Sequence, residues 1–157
     1  MALPEPYRLV EGPPDTDSYL ALRQRAGLSP RTRAQAEAAL GGGWAAVHVV
    51  DGHGKPVGMG RVIGDGGWYF HVVDMAVDPL HQRRGIGDRI LEWLLSRIDA
   101  LAPRGAYISL LADEPGRRLY ERHGFEPTAP RSIGMAIPPG RRHAVVTRPA
   151  SGHRTPP

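Results

Sequence analysis

A short loop near the middle of the chain carries residue types that can hold a phosphate group. It reads Gln82-Arg-Arg-Gly85-Ile-Gly87, with two arginines between the glutamine and the first glycine. Glycines let the backbone approach a diphosphate closely because no Cβ atom stands in the way. If a helix begins within the loop, its first backbone N–H groups and the positive end of its dipole attract the anion. The pattern therefore predicts a phosphate-binding turn.

The residues on either side supply the elements that such a turn requires. Tyr69 to Val77 is apolar and rich in β-branched residues, which indicates a strand before the loop. After the loop, apolar residues recur at helical spacing: Ile86, Ile90, Leu94, Ile98 and Leu101. No Gly-Lys-Ser/Thr follows and the Gly-x-Gly-x-x-Gly fingerprint is absent at this turn, so it is neither an NTP-hydrolysing P-loop nor a dinucleotide turn. A third class of phosphate loop is needed.

A second recognisable segment lies downstream, where Arg118 to Phe125 reads Arg-Leu-Tyr-Glu-Arg-His-Gly-Phe. With the Gln-x-x-Gly-x-Gly loop, which follows a strand ending in Val-Asp-Pro, it resembles the motif pair of the GNAT superfamily of N-acyltransferases. Members of that superfamily have an acyl-CoA pyrophosphate loop followed by an LYe-x-x-GF segment. The resemblance spans roughly residues 7–137 and implies an acetyl-CoA-dependent N-acetyltransferase.

The resemblance also assigns residues to acetyl-CoA, the expected co-substrate. The backbone of Met75, Ala76 and Val77 is expected to pair with the pantetheine arm as an added strand would. The residues expected around the diphosphate are Gln82, Arg83, Arg84, Gly85, Ile86, Gly87 and Asp88.

Transfer of an acetyl group to an amine needs a general base, because a primary amine is mostly ammonium at neutral pH. The strand before the loop offers His71 and Asp74, and both match positions where superfamily members place an acidic residue that acts on the amine. On a regular strand these two side chains point to opposite faces, whereas a β-bulge would re-aim one of them. The choice between His71 and Asp74 as the base stays open.

Tyr120 matches the tyrosine that protonates the leaving thiolate in the superfamily, so the resemblance implies a general acid there. Asp113 stands where the superfamily usually has asparagine, and we expect it to cap a helix. Gly116 replaces a common alanine and should weaken the helix slightly. Ser109 has no neighbouring His-Asp pattern, so direct attack in a ternary complex is expected rather than serine catalysis. No step requires a metal, and the seven histidines show no paired ligand spacing.

The order of the predicted elements indicates the α/β class. Strands are predicted at 7–10, 44–50, 57–63, 68–77, 106–111 and 133–137, and helices at 15–26, 32–40, 86–102 and 114–123. A meander of antiparallel strands followed by strand, helix, strand and helix favours a mixed, mostly antiparallel sheet flanked by helices. The GNAT-like acyl-CoA N-acyltransferase fold has this order. We expect a single domain over residues 1–137.

Composition narrows the remaining classes of protein. The chain has no cysteine, which excludes disulfides, thiolate metal sites and a cysteine nucleophile. It has no apolar run long enough to span a membrane and no signal-peptide pattern, so a cytoplasmic protein without a membrane partner is expected. There are 20 Lys and Arg against 16 Asp and Glu, and the excess equals the arginines of residues 138–157: Arg141, Arg142, Arg148 and Arg154. That Pro- and Gly-rich tail is expected to be disordered.

The leading hypothesis is an enzyme that moves an acetyl group from acetyl-CoA to a primary amine of a small molecule or a protein. The rival is a non-catalytic acyl-CoA-binding or regulatory domain that keeps the loop but lacks turnover. Tyr120 together with a titratable group at His71 or Asp74 favours the enzyme. A nucleic-acid partner is not expected, a homodimer is left open, and no residue pattern dictates the amine acceptor.

Overall fold

The structure is a computed structural model that describes residues 3–137, a range with five strands and four α-helices. The strands are β1 Arg8–Glu11, β2 Ala45–Val50, β3 Pro56–Gly64, β4 Tyr69–Val77 and β5 Tyr107–Leu110. The helices are α1 Thr16–Arg25, α2 Arg33–Gly41, α3 Ile86–Leu101 and α4 Arg117–Arg122. Single 3₁₀ turns at Pro79–His81 and Glu114–Gly116 precede α3 and α4. These elements follow the predicted order.

The five strands form one sheet in the order β1-β2-β3-β4-β5. Strands β1 to β4 run antiparallel to one another in turn, and β5 runs parallel to β4. A parallel neighbour needs a crossover connection, which α3 supplies. The mixed, mostly antiparallel sheet predicted from the sequence is confirmed.

Helix α3 covers one face of the sheet with a fully apolar stripe. Its buried residues, Ile86, Ile90, Leu91, Leu94 and Ile98, are each at most 1% exposed. They pack with Val62, Phe70 and Val72 of the strands in the main core. A Cβ atom at Gly60 would lie 2.6 Å from the sulfur of Met75 and 2.7 Å from Ile90, so this glycine permits the close approach. The tight packing fixes where α3 begins relative to the end of β4.

Helices α1 and α2 pack against each other on the opposite face, where α1 contacts β3 and β4. Their core joins Tyr19, Leu22 and Ala36 to Met59 and Ala76. Both helices begin at capped residues, because the Asp15 side chain accepts from the N–H of Ser18, and Thr32 forms a capping box with Gln35. The sheet therefore lies between α3 and the α1–α2 pair.

The chain divides after Glu126, and only residues 127–137 of the second unit are described. Residues 133–137 were predicted to form a last strand, but residues 132–137 have no regular secondary structure. Their alternating apolar side chains are exposed, with Met135 at 88%. Period-two alternation favours a strand locally, yet a strand forms only where a neighbour accepts its backbone hydrogen bonds. The predicted disordered tail, residues 138–157, lies outside the described residues.

Within residues 3–137, no helix is both long enough and apolar enough to cross a membrane.

Candidate active site

The predicted phosphate loop forms the start of α3. Gly85 is the N-cap residue with φ 76°, a left-handed conformation that a glycine adopts without strain. The N–H groups of the first turn of a helix have no intrahelical partner. No side chain caps this helix either. Arg83 also has positive φ, at 59°. The loop thus presents uncapped N–H groups and a helix dipole beside two arginines, which is an arrangement suited to an anion.

Gln82 anchors the loop to the preceding strand. Its side-chain Nε2 donates to the carbonyl oxygen of Val77 at 3.1 Å. The role expected for Gln82 was contact with the cofactor, whereas its amide here ties the loop to the end of β4. The Arg84 guanidinium lies over the Tyr7 ring at 6.0 Å, and the Tyr7 hydroxyl is 2.9 Å from Nδ1 of His81. Several parts of the chain therefore hold the loop in place.

A surface cavity of about 590 Å³ opens beside the loop. It is lined by Pro4, Arg83, Arg84, Gly85, Asp88, Arg89, Glu92 and His123. The three arginines and the uncapped start of α3 make this cavity suited to a diphosphate. Of the predicted loop residues, Arg83, Arg84, Gly85 and Asp88 line it, whereas Gln82, Ile86 and Gly87 are not among its lining residues.

Asp88 joins the two sequence motifs. Its carboxylate accepts from Nη2 of Arg122 at 2.9 Å and lies 3.3 Å from Nε2 of His123. Burial raises the pKa of Asp88, but the hydrogen bonds and charges of Arg122 and His123 outweigh it and lower the pKa below 3.8. The ionised carboxylate of the first motif therefore holds α4, which carries the second motif, against the start of α3.

Strands β4 and β5 part immediately beyond Val72 and Leu110, the last pair in their register. Further along, Ala76 and Val77 pair with β3 on one side only. Among the described residues, the other backbone edge of Met75 to Val77 meets no strand, and Gln82 caps the Val77 carbonyl there. An extended ligand arm can add to such an open edge.

A β-bulge interrupts β4 at the site. Met59 pairs with Ala76 and Arg61 with Val73, so Asp74 and Met75 together face the single residue Gly60. Asp74 has φ 56°, which is rare outside glycine. Because of the extra residue, side chains on the α3 face change from even to odd numbers, with Phe70 before the bulge and Met75 after it.

The bulge places His71 and Asp74 on one face of the sheet. Phe70 and Val72 pack on the α3 side, so His71 between them points to the opposite face. Asp74 reaches Tyr19 of α1 on that same face. Of the two alternatives for this strand, the β-bulge that re-aims one residue is therefore the one found, and the regular strand, in which the two residues face apart, is not.

Asp74 is held by three donors. Its carboxylate accepts from the Tyr19 hydroxyl at 2.7 Å, from Arg23 Nη1 at 2.5 Å and from Arg61 Nε at 2.8 Å. Its side chain is 14% exposed. Burial raises the pKa of Asp74, but the hydrogen bonds from Tyr19 and Arg61 and the two arginine charges lower it below 3.8. Asp74 is therefore ionised and a weak proton acceptor at neutral pH.

The two arginines extend this cluster into the helices. Arg23 donates from Nη2 to the carbonyl of Ser29 at 2.8 Å, and Arg61 donates from Nη1 to the carbonyl of Ala39 at 2.7 Å. The cluster therefore connects α1, the loop after it and α2 to strands β3 and β4. Sequence reasoning missed all of Asp74's partners, although Arg61 within the apolar run of β3 was a signal of a buried charge.

His71 lies beside Ser109 on the neighbouring strand. Its Nδ1 is 2.8 Å from Ser109 Oγ, which is also 3.3 Å from the Tyr69 hydroxyl. Burial lowers the pKa of His71 below 6.5, so the imidazole is neutral at physiological pH. The sequence showed no histidine near Ser109, but the parallel register pairs the two residues directly. Ser109 Oγ is the hydrogen-bond partner of Nδ1, and among the described residues none forms a hydrogen bond with Nε2.

Tyr120 lies half-buried on α4, with its ring edge-on to Phe125 at 6.0 Å. Burial and the charge of Asp113 raise the pKa of Tyr120 above 10.0, so its hydroxyl stays protonated and can donate. Asp113 stands at the predicted cap position but makes no side-chain cap bond, so the expected capping is not found. A Cβ atom at Gly116 would lie 2.9 Å from the Tyr120 ring, so this glycine makes room for the tyrosine.

The sheet that opens between β4 and β5 beside an uncapped helix start is the arrangement expected of the GNAT-like fold. A family model described as an acetyltransferase (GNAT) domain matches residues 43–127, more than half of the chain. The chain therefore belongs to the GNAT acetyltransferase family. No curated protein matches it.

Solved structures agree with this assignment. A protein of meticillin-resistant Staphylococcus aureus, described as of unknown function and a probable acetyltransferase, is 40% identical with a TM-score of 0.80, covering 84% of this chain and 98% of its own. A GNAT-family acetyltransferase of Streptococcus pneumoniae is 24% identical with a TM-score of 0.68, covering 87% and 99%. Glucosamine-6-phosphate N-acetyltransferase of Arabidopsis thaliana is 16% identical with a TM-score of 0.62, covering 85% and 98%. The last two share the fold alone.

Proposed function

We propose that the protein transfers an acetyl group from acetyl-CoA to a primary amine by direct attack in a ternary complex. The observation that carries the proposal is the open edge of β4 at Met75–Val77, which leads from the uncapped start of α3 to the point where β4 and β5 part. A diphosphate on the loop and an extended arm along β4 would bring a thioester to that point. His71 lies next to Val72, where the strands part, and can supply a base for acetyl transfer.

The residues around the loop fit the diphosphate. Arg83, Arg84 and Gly85 line the cavity beside it, together with the first turn of α3. Met75 to Val77 offer backbone groups for the pantetheine arm. When bound, acetyl-CoA supplies a thioester whose carbonyl carbon an amine can attack.

We assign the general base to His71 rather than Asp74. The neutral imidazole can accept a proton from the amine, directly or through water, at Nε2. Asp74 is a poorer base because three donors occupy its oxygens and its pKa is lowered. Asp74 is instead a positioning residue, which holds α1 and α2 beside the site.

We assign the general acid to Tyr120. Its raised pKa keeps the hydroxyl protonated, so the phenol can donate a proton to the sulfur as the C–S bond breaks. The ammonium group first loses one proton, which His71 accepts and releases to solvent. The amine nitrogen then bonds to the carbonyl carbon as the C–S bond breaks, His71 takes the second proton that the nitrogen loses, and the thiolate takes the Tyr120 proton. The products are the amide, the CoA thiol, an imidazolium and a phenolate, and return of a proton from His71 to Tyr120 through solvent resets the site without a covalent acyl-enzyme.

Nitrogen as the acceptor atom is supported by the neutral base at His71, which suits an ammonium group that must lose a proton. Among the structures with this fold, the Arabidopsis protein acts on the nitrogen of a small sugar phosphate by its name. A cytoplasmic location remains a prediction from the composition.

Two measurements test the proposal. Acetyl-CoA at about a thousand times its Kd should stabilise the protein by about 4 kcal/mol, seen as a rise in Tm. Primary amines should then release CoA thiol, and a thiol reagent reports this without background because the chain has no cysteine. Absence of a Tm shift at millimolar acetyl-CoA would contradict the proposal. A Tm shift without thiol release from any amine would favour a non-catalytic acyl-CoA-binding domain.

A further inference from the structure

Three exposed apolar side chains lie next to His71 on the sheet face opposite α3. Ile63 is 40% exposed, Tyr69 40% and Tyr107 45%. Ile63 pairs in register with His71, and Tyr69 pairs with Tyr107. Directly paired residues of neighbouring strands project to the same face, and alternation along β4 puts Tyr69 on the face of His71. We call Tyr69 and Tyr107, together with the aliphatic Ile63 beside them, the aromatic platform.

The aromatic platform is continuous with the proposed base. Ser109 Oγ lies 2.8 Å from Nδ1 of His71 and 3.3 Å from the hydroxyl of Tyr69. The rings of Tyr69 and Tyr107 are 5.5 Å apart between centroids. A ligand that lies on these rings can therefore place a polar end near the imidazole.

Helices α1 and α2 cover only the other half of this sheet face. They pack at Ala76 and Met59, beyond the bulge, and end at the Asp74 cluster. Large apolar side chains are seldom left side by side on a surface without a binding role. The uncovered half contains the start of β4, where β4 still pairs with β5. It lies next to the point that the thioester would reach.

We propose that the acceptor is a primary monoamine with an aromatic or similarly flat apolar group, which lies on the aromatic platform with its nitrogen at His71. This inference rests on the proposed acetyl transfer. Tyr69 and His71 are two residues apart on the same face of β4, so their Cα atoms are about 6.8 Å apart. An amine carried on a two- or three-carbon chain from its ring spans that separation. The faces of the tyrosine rings also attract an ammonium group before it loses its proton.

The Asp74 cluster on this face disfavours polycations, because its one carboxylate already accepts from Tyr19, Arg23 and Arg61. Arg23 and Arg61 contribute two positive charges and Asp74 one negative charge, so the cluster beyond the bulge is net positive. A polyamine or an aminoglycoside carries several ammonium groups, which need carboxylates and would be repelled here. The platform itself carries no charged side chain. A single ammonium on an apolar body matches this surface.

The experiment compares amines on the full chain with saturating acetyl-CoA, using thiol release. The panel is 2-phenylethylamine, n-butylamine and spermidine. We expect kcat/KM to be highest for 2-phenylethylamine and lowest for spermidine. Equal values for the aryl and alkyl amines, or spermidine as the best acceptor, would overturn the inference while leaving acetyl transfer intact.

Two variants of Tyr107 test whether its aromatic ring, rather than the local structure, produces the preference for the aryl amine. Tyr107→Phe keeps the ring and should keep the preference for 2-phenylethylamine. Tyr107→Leu should reduce that preference about three- to tenfold. Leu101→Ala, at an exposed apolar residue that ends α3 on the other face of the sheet, is the control.

The outcomes distinguish the two proposals. An unchanged preference in Tyr107→Leu would show that the platform does not bind the acceptor. Thermal stabilisation by acetyl-CoA, measured on each variant, reports folding and donor binding independently of the amine. Failure of every amine to release thiol would overturn both this inference and the proposed acetyl transfer.

Discussion

Arg61 donates from Nε to the carboxylate of Asp74 at 2.8 Å, beside the bulge of β4. Together with Arg23 from α1, it makes this carboxylate the centre of a buried charge cluster. The Asp74 carboxylate is therefore a poor candidate for the base, and it links the sheet to the helices that pack on this face. The same bulge that gives Asp74 its positive φ turns its side chain toward those helices.

Replacing Asp74 with asparagine should destabilise the protein by about 3 kcal/mol, because two buried guanidinium groups lose their counter-charge. The free energy of unfolding in urea measures this. The control is Asp17→Asn, which removes an exposed partner of Arg33 and should cost about 0.5 kcal/mol or less. A similar loss for both variants would contradict a special role for the cluster.

The stability that Asp74 contributes should depend on pH only on the acid side. Its folded pKa is lowered relative to 3.8, so the stabilisation is fully present above that value. It is then lost as the pH falls through the folded pKa. The difference in unfolding free energy between wild type and Asp74→Asn should be constant from about pH 5 to 8 and shrink below about pH 4. A difference that changes near neutral pH would contradict this assignment.

His71→Gln should lower kcat at neutral pH by about a hundredfold, because general-base catalysis contributes at least that much. Since the pKa of His71 lies below 6.5, wild-type kcat/KM should fall on an acid limb below that pH. The variant should lack this limb, whereas the titration of the amine is common to both enzymes. Persistence of the limb in His71→Gln would remove His71 as the base.

Tyr120→Phe should lower kcat by about a hundredfold while the Tm shift produced by acetyl-CoA stays the same. The phenylalanine keeps the ring packing with Phe125 and removes only the proton donor. Unchanged turnover would show that the thiolate takes its proton from another group.

Gly116→Ala should lower kcat slightly, although it changes no polar group. The new Cβ atom would lie 2.9 Å from the Tyr120 ring, so the ring has to shift by a few tenths of an ångström. The loss should stay well below the roughly hundredfold that a displacement of about 1 Å can cause, in keeping with the alanine that the superfamily commonly has at this position. Gly41→Ala, where a Cβ atom meets nothing within 4 Å, is the matched control and should leave kcat unchanged.

Local features of the fold were predictable because contiguous residues produce them. The apolar, β-branched run of β4, the helical spacing of α3 and the glycines at its start predict the strand, turn and helix around Gly85. The caps at Asp15 and Thr32 are likewise set by residues three positions apart. The strand expected at 133–137 shows the limit of this reasoning, because alternation describes a strand's side chains and says nothing of a neighbour.

By itself, the sequence determined the loop, the order of the elements and the family to which they belong, since backbone conformation and hydrophobic period depend on neighbours along the chain. Only the tertiary structure decided what the candidate site residues touch. Asp74 meets Arg23 across 51 positions, and His71 meets Ser109 across 38. One extra residue in β4 decides which face a side chain takes, and a bulge depends on pairing with β3. Contacts between distant segments form only when the sheet and its two helical layers are assembled.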